Sequence, residues 1–252
     1  MIGIFDSGSG GLTVLRAIRE DFPSADIIYF GDIKNAPYGS KSNAELSTLT
    51  VDAIDRLTKH GATSIVSACN SVSASLAVSL VDMLDLPPGH LIEMVGPTVG
   101  TFRGSAARVV LAATPATVRA EIYQNGFRMI RKDITAVAIP DLASAIEFRA
   151  SEDEMERIIR QAFAGVPLRP GDTLILACTH YPLVAHVFAR VFPEVMLFDP
   201  AHAVAARVKR ELWPREVGEG TLRFMITKDS EPFRERVKTF FPESADAVVV
   251  VE

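Results

Sequence analysis

The chain has 252 residues, 48% of them hydrophobic and 23% charged, with a net charge of −5 and two cysteines. Length and apolar content allow one large or two smaller globular domains with ample core, and two cysteines are too few for a disulfide scaffold. The acidic balance and lack of basic runs exclude a nucleic-acid partner; no apolar run approaches the roughly eighteen residues of a membrane span, and the N-terminus does not read as an export signal. A cytoplasmic, reduced setting with both thiols free is the expectation.

An apolar run at 2–5 predicts a first strand, and Asp6-Ser7-Gly8-Ser9-Gly10-Gly11 leads from it into a helix at 12–20. The glycines do not form a dinucleotide fingerprint, because Thr13 stands where the third glycine is needed, and no Gly-Lys-Ser/Thr follows for a P-loop. What remains is an N–H-rich turn at a helix start, suited to a small carboxylate or phosphate, or simply a tight turn that needs glycine. Asp6 ends the strand, where a carboxylate is costly unless it is exposed in a cleft or paired, as with a substrate ammonium.

A second strand at 27–30 runs into a Pro/Gly loop from Asp32 to Ser40 that carries Tyr38 and Gly39; such a loop can cover a substrate or serve as a plain crossover. After a helix at 43–60, a third strand at 64–68 ends in Cys69-Asn70-Ser71, followed by a helix at 74–84 and a strand at 91–95. The second half opens with a strand at 109–113 that ends in Thr114-Pro115, a helix at 117–124 and a strand at 134–139. A helix at 152–163 and a strand at 173–177 come next, and Cys178-Thr179-His180-Tyr181-Pro182 leads into a helix at 183–191 and a strand at 195–198. The tail adds helices at 202–212 and 231–240 and strands at 221–227 and 247–251.

Continuous apolar strands alternating with helices predict an α/β protein with mainly parallel, doubly wound sheets covered on both faces. Strand starts at 2, 27 and 64 in one half and 109, 134 and 173 in the other keep nearly the same spacing, and each third strand ends at a cysteine. That pattern reads as an internal duplication, giving two pseudo-symmetric, Rossmann-like domains. The expected division is 1–96 plus 206–252, carrying Cys69, and 97–205, carrying Cys178. Ligands of open α/β sheets lie at the strand C-terminal ends, so an interdomain cleft would present the two thiols to one ligand from opposite sides.

A thiol between a buried strand and a helix start is where the dipole and orphan N–H groups lower its pKa, and two such thiols suggest a pair of bases. Buried packing thiols and a disulfide between the pair stay open as alternatives at this point. No C-x-x-C or tight Cys/His cluster supports a zinc site, and no metal is expected. His180, two residues past Cys178, can exchange a proton with the thiol or orient it.

Five blocks then carry a resemblance: Asp6-Ser7-Gly8-x-Gly10-Gly11-Leu12-Thr13, Phe30-Gly31-Asp32 with Pro37-Tyr38-Gly39, Ala68-Cys69-Asn70, Ala113-Thr114-Pro115-Ala116-Thr117, and Cys178-Thr179-His180-Tyr181-Pro182. Together they resemble the glutamate racemases of the aspartate/glutamate racemase superfamily, and the likeness extends to Thr227-Lys228-Asp229 in the tail. The resemblance implies a cofactor-independent isomerase that inverts glutamate at its α-carbon with two thiols and supplies D-glutamate for peptidoglycan. Carried onto this chain, Cys69 and Cys178 are the acid/base pair, and Asp6 and His180 assist them. Asp6, Ser7, Tyr38, Gly39, Asn70, Ser71, Thr114, Thr179 and His180 line the substrate site, and Glu147 corresponds to the family's acidic residue in the second domain. The implied partner is a small acidic amino acid, with no metal, cofactor, nucleic acid or membrane; a homodimer is compatible with the chain.

The chain departs from the family pattern at Ser71-Val72 in place of Thr-Ala, at Ile139-Pro140 in place of Cys-Pro, and at Lys34-Asn35-Ala36, which lacks the usual arginine. Aspartate or another acid is therefore carried as an alternative substrate, and a catalytically silent binding protein for an acidic amino acid as an alternative of another class.

Overall fold

Strands whose side chains are apolar on both sides need cover on both faces, and the fold supplies it twice. The computed structural model describes residues 1–73 and 89–251. In chain order the strands are β1 (Ile2–Asp6), β2 (Ile27–Gly31), β3 (Ser64–Ser67), β4 (Leu91–Ile92), β5 (Val109–Ala113), β6 (Thr135–Ala138), β7 (Thr173–Ala177), β8 (Met196–Phe198), β9 (Leu222–Ile226) and β10 (Val248–Val250). The helices are α1 (Leu12–Asp21), α2 (Asn43–Lys59), α3 (Val95–Thr101), α4 (Pro115–Arg119), α5 (Ile122–Met129), α6 (Leu142–Glu147), α7 (Glu152–Ala162), α8 (Ala185–Val191), α9 (Pro200–Leu212) and α10 (Glu231–Phe240). None of the described helices is long and apolar enough to cross a membrane.

Two parallel sheets result, one ordered β10-β9-β2-β1-β3-β4 and the other β6-β5-β7-β8. In the first, Ile2, Ile4, Tyr29 and Phe224 point towards α1, α9 and α10, while Phe5, Ile28 and Phe30 point towards α2. In the second, Val110, Ala112, Leu174 and Leu176 meet α6, α7 and α8, while Leu111, Ala113 and Ile175 meet α3 and α5. The period-two alternation of strand side chains produces these opposed layers, and each fully buried Ile, Leu or Phe in them is worth roughly 1.5–3 kcal/mol. The sequence's last two strands, β9 and β10, join the first sheet, with β9 paired to β2 in parallel.

Several expected elements differ in extent. The strand expected at 91–95 stops at Ile92, because the Glu93 carboxylate accepts from the N–H groups of Val95, at 2.5 Å, and Gly96, at 2.6 Å, and so starts α3. The helix expected at 117–124 is two helices, α4 and α5, broken where Glu121 takes a left-handed φ of 52°. Helices α3 and α6 have no counterpart in the sequence reading, being short and set among strand-like or loop-like residues. The helix expected at 74–84 lies outside the described residues. Packing also places α3 and α9 whole: Met94 belongs to the first sheet's core, whereas Val95 and Val99 belong to the second's, and α9 packs on the first sheet from Ala201 onward.

Candidate active site

The C-terminal ends of β1 and β3 from one sheet and of β5 and β7 from the other converge on a small cavity of about 40 Å³. Cys69 and Cys178 both line it and are both free thiols, which removes the disulfide alternative. Around them stand Ser7, Tyr38, Gly39, Asn70, Ser71, Thr114, Thr179 and His180. Of the residues expected at the site, Asp6 alone does not line the cavity.

Asp6 lies fully buried beneath it, its carboxylate accepting from the N–H groups of Gly11 at 2.9 Å and Gly8 at 3.2 Å and from the Thr179 hydroxyl at 3.3 Å. The cost of a carboxylate at a strand end is thus met without exposure, by the glycine turn and by Thr179 after the opposite sheet's β7. Burial raises the Asp6 pKa above the ordinary carboxylate value, against the pull of His180 and these N–H groups. Gly10 is required by the same convergence, because a Cβ there would stand 2.5 Å from His180 Nδ1 and 2.6 Å from Thr179 Oγ1.

Cys69 follows β3 and opens the 3-10 turn Asn70–Val72; its Sγ lies 3.9 Å from Ser7 Oγ. The helix-start setting leads one to expect an acidified thiol, and the structure reverses this. Burial first, and the neighbouring Asp6 carboxylate second, push Cys69 well above the ordinary thiol value, outweighing the Ser71 N–H. Cys178 has a different neighbour. Its Sγ is 3.9 Å from His180 Nδ1, and His180 Nε2 is 2.9 Å from Glu147 Oε2. Burial opposes charge on His180, yet its bonds with Cys178 and Glu147 prevail and hold it up to about 10. Burial likewise opposes charge on Glu147, and His180, Ser9 and Arg236 together bring it down to about 2. One thiol therefore sits beside an anion and the other beside a buried ion pair.

The polar lining is fixed from behind. Tyr123 donates to Asn70 Oδ1 at 2.6 Å, which fixes the amide of this cavity-lining residue and leaves its Nδ2 buried and without a hydrogen-bond partner among the described residues. Ser71 and Thr114 hydroxyls are 3.0 Å apart across the two sheets, and Thr114 also caps α4 through the Thr117 N–H at 3.3 Å. The loop from Asp32 to Ser40 folds as two 3-10 turns, with Tyr38 donating to Asp32 Oδ2 at 2.6 Å and Thr227 to Asp32 Oδ1 at 2.9 Å. Gly39 lets that loop touch the other sheet, since a Cβ there would be 2.9 Å from Thr114 Cβ.

Residues that sequence reasoning did not place here are Tyr123, Ser9 and Arg236 behind the cavity, and Ala143, Ser144 and Phe148 at its wall. Ser9 lies in the glycine-rich turn already singled out, without a role given to it there; the others reach the site from a helix or its flanking loop, and no spacing ties them to either cysteine. Two thiols from different sheets, a cation beside one and the Asn70 Nδ2 donor in the same cavity suit proton transfer on both faces of a small carboxylate-bearing carbon.

The chain was compared with known proteins. The family model for Asp/Glu/Hydantoin racemase matches residues 12–208. A glutamate racemase of Acidothermus cellulolyticus is 35% identical over 243 residues, spanning 92% of this chain and 91% of its own. One from Desulforudis audaxviator is 32% identical over 265 residues, spanning 99% of this chain and 97% of its own. The crystal structure of glutamate racemase from Francisella tularensis in complex with D-glutamate is 27% identical, has a TM-score of 0.87, and covers 100% of this chain and 97% of that one.

Proposed function

The chain belongs to the Asp/Glu/Hydantoin racemase family, and from that membership we propose that it interconverts L- and D-glutamate by passing the α-proton between Cys69 and Cys178. It is an amino-acid racemase, an isomerase. The observation that carries the thiol assignment is that Cys69 and Cys178 rise from different sheets to line one cavity, whose Asn70 amide donor has no partner among the described residues.

Inversion needs a base on one face of the α-carbon and an acid on the other. Burial and the Asp6 carboxylate favour the thiol form of Cys69, and the sulfur of Cys178 has the His180 ring 3.9 Å away. Cys178 takes the α-proton from one face while Cys69 delivers its own to the other. The product is the opposite enantiomer, Cys69 is left as thiolate and Cys178 as thiol, and the reverse turnover restores both. Backbone N–H groups of Asn70, Ser71, Thr179 and His180, with Asn70 Nδ2, would hold the α-carboxylate and stabilise the charge that spreads onto it in the transition state. Ser7, Tyr38, Gly39 and Thr114 complete the substrate wall. No step requires an electron sink or Lewis acid beyond these groups.

The same reading divides the chain into two lobes, and the packing of α3 and α9 supports placing the boundaries at about 94 and 199, so that neither helix is cut. A cytoplasmic setting keeps both thiols reduced, and D-glutamate for peptidoglycan is the product's use. Because the solved Francisella tularensis relative holds D-glutamate, glutamate is preferred to aspartate as the substrate.

The decisive test incubates the purified protein with each enantiomer of glutamate and of aspartate in deuterium oxide, following circular dichroism and α-deuterium. Loss of optical activity with deuterium incorporation from glutamate is the expected result; absence of exchange with every acid overturns the proposal, and exchange with aspartate alone moves it to that substrate. Tyr123→Phe frees the Asn70 amide to rotate, so KM for glutamate should rise about three- to tenfold with a smaller change in kcat, by the worth of one oriented hydrogen bond. Steady-state kinetics checks it, and an unchanged KM would remove Tyr123 from the site.

A further inference from the structure

We infer that Arg236, on α10, is a positioning residue for the Glu147–His180 pair and, through it, for Cys178. The inference rests on the racemase reading above. A single carboxylate oxygen, Glu147 Oε2, collects three partners: His180 Nε2 at 2.9 Å, Arg236 Nη1 at 3.3 Å, and the Ser9 hydroxyl. Arg236 Nη1 also donates to Ser9 Oγ, which closes the cluster. Glu147 and His180 belong to the second sheet's lobe, whereas Ser9 follows β1 and α10 packs on the first sheet. The cluster is therefore a latch across the two lobes that ends on the proton-handling histidine.

Arg236 does not line the cavity, and its side chain is only 14% exposed. An arginine whose role is solubility extends into water; one that gives up hydration needs an anion with fixed geometry in return. Burial works against its charge, and Glu147 is what sustains it. The groups facing this centre are Glu147 and Arg149 from the α6 end, Tyr29 from β2, Asp6 from β1, and Cys178 and His180 from the turn after β7. A second, outer contact repeats the pairing with reversed charge, Arg149 lying 3.7 Å from Glu235 on the same tail helix. Both of its side chains are about half exposed, so it is screened by water, and the inner pair carries the orientation.

Arg236 fixes the rotamer in which Glu147 Oε2 faces His180. Without it the carboxylate can turn away to water, His180 loses part of its anchor, and burial then favours the neutral imidazole.

The test is the pH profile of racemisation by the full chain carrying Arg236→Met, Arg236→Gln or Arg236→Lys, with Glu235→Gln as a surface control. Arg236→Met should lower kcat about tenfold while KM stays within about twofold, and should move the alkaline limb of kcat/KM to lower pH by half a unit or more. Arg236→Lys keeps the cation and should recover most of the loss, and Glu235→Gln should match the parent. Should Arg236→Met fold poorly, Arg236→Gln, of similar reach and neutral, carries the same expectation. An unchanged profile overturns the inference, and so does a limb moved to higher pH, which would make Arg236 only a competing charge. Failure of the parent protein to exchange any acidic amino acid overturns the racemase reading instead, so the two failures are distinguishable.

Discussion

Cys178→Ser and Cys69→Ser are each expected to reduce racemisation of glutamate by about 10²–10⁴-fold, the range that one positioned acid or base supplies. Serine keeps the shape of cysteine, and both sites are buried among groups that tolerate a hydroxyl, so the fold should persist and the melting temperature should change little. The loss follows from acidity: a serine hydroxyl is a far weaker acid than a thiol and does not ionise at neutral pH to take a proton. The two variants should differ with a one-sided substrate. From a β-chloro amino acid, removal of the α-proton expels chloride and needs only the base on the proton's own face. Cys69→Ser should therefore retain elimination from the enantiomer whose α-hydrogen faces Cys178, and lose it from the other; Cys178→Ser should show the mirror result. Undiminished racemisation in either variant would remove that cysteine from the mechanism, and equal loss of elimination from both enantiomers in both variants would break the assignment of one thiol to each face.

Glu147→Gln should have the second largest effect, a loss of about ten- to a hundredfold in kcat/KM near neutral pH, the worth of one charge-assisted hydrogen bond to a buried group. With Glu147 present, burial opposes charge on His180 but its bonds to Cys178 and Glu147 hold it up to about 10. Glutamine keeps the length and removes the charge, so the histidine's pKa falls and the alkaline limb of the rate profile moves to lower pH. The sign for stability follows the same way. A histidine raised from 6.5 to about 10 stabilises the fold fully below its unfolded value, and that contribution disappears as pH rises through about 10. Glu147, lowered from 4.5 to about 2, stabilises above its unfolded value and is lost as pH falls through about 2. Denaturant titrations at several pH values should show both losses in the parent protein, and in Glu147→Gln no acid loss and a smaller alkaline one, since Cys178 still supports the His180 charge. A rate profile with the same alkaline limb in the variant would exclude the histidine–glutamate pair from the proton path.

The strands were legible because they are fully apolar runs, and the cysteine setting was legible because two such runs end alike. Chain order even disclosed the opposed thiols, since the repeat spacing set them at equivalent ends of two sheets. The acidity of Cys69 was not legible: the helix-start setting suggests a lowering, whereas burial and Asp6 raise it. Asp6 itself was read as a substrate group because its neighbours across the lobes, Thr179 above all, are distant in sequence. Tyr123 and Arg236 escape for the same reason: each acts through one contact with a residue far away in the chain, and nothing local marks it. The outcome at 91–95 and 117–124 differs in kind, for there a single capping carboxylate and a single left-handed residue override a sound apolar pattern.

The placement of β9 between β2 and β10 has a bearing on how the protein is born. A chain emerging from the ribosome has all four strands of the second sheet once Phe198 is out, but β2 must wait for Leu222–Ile226, the better part of two hundred residues after itself, before its outer edge is covered. Until then Ile27–Gly31 offers an uncapped, wholly apolar edge, the kind of strand that recruits neighbours on a polysome. The stretch from β5 to β8 thus holds the part able to mature first, and the sheet bearing Cys69 is completed later, by the segment that also brings Arg236.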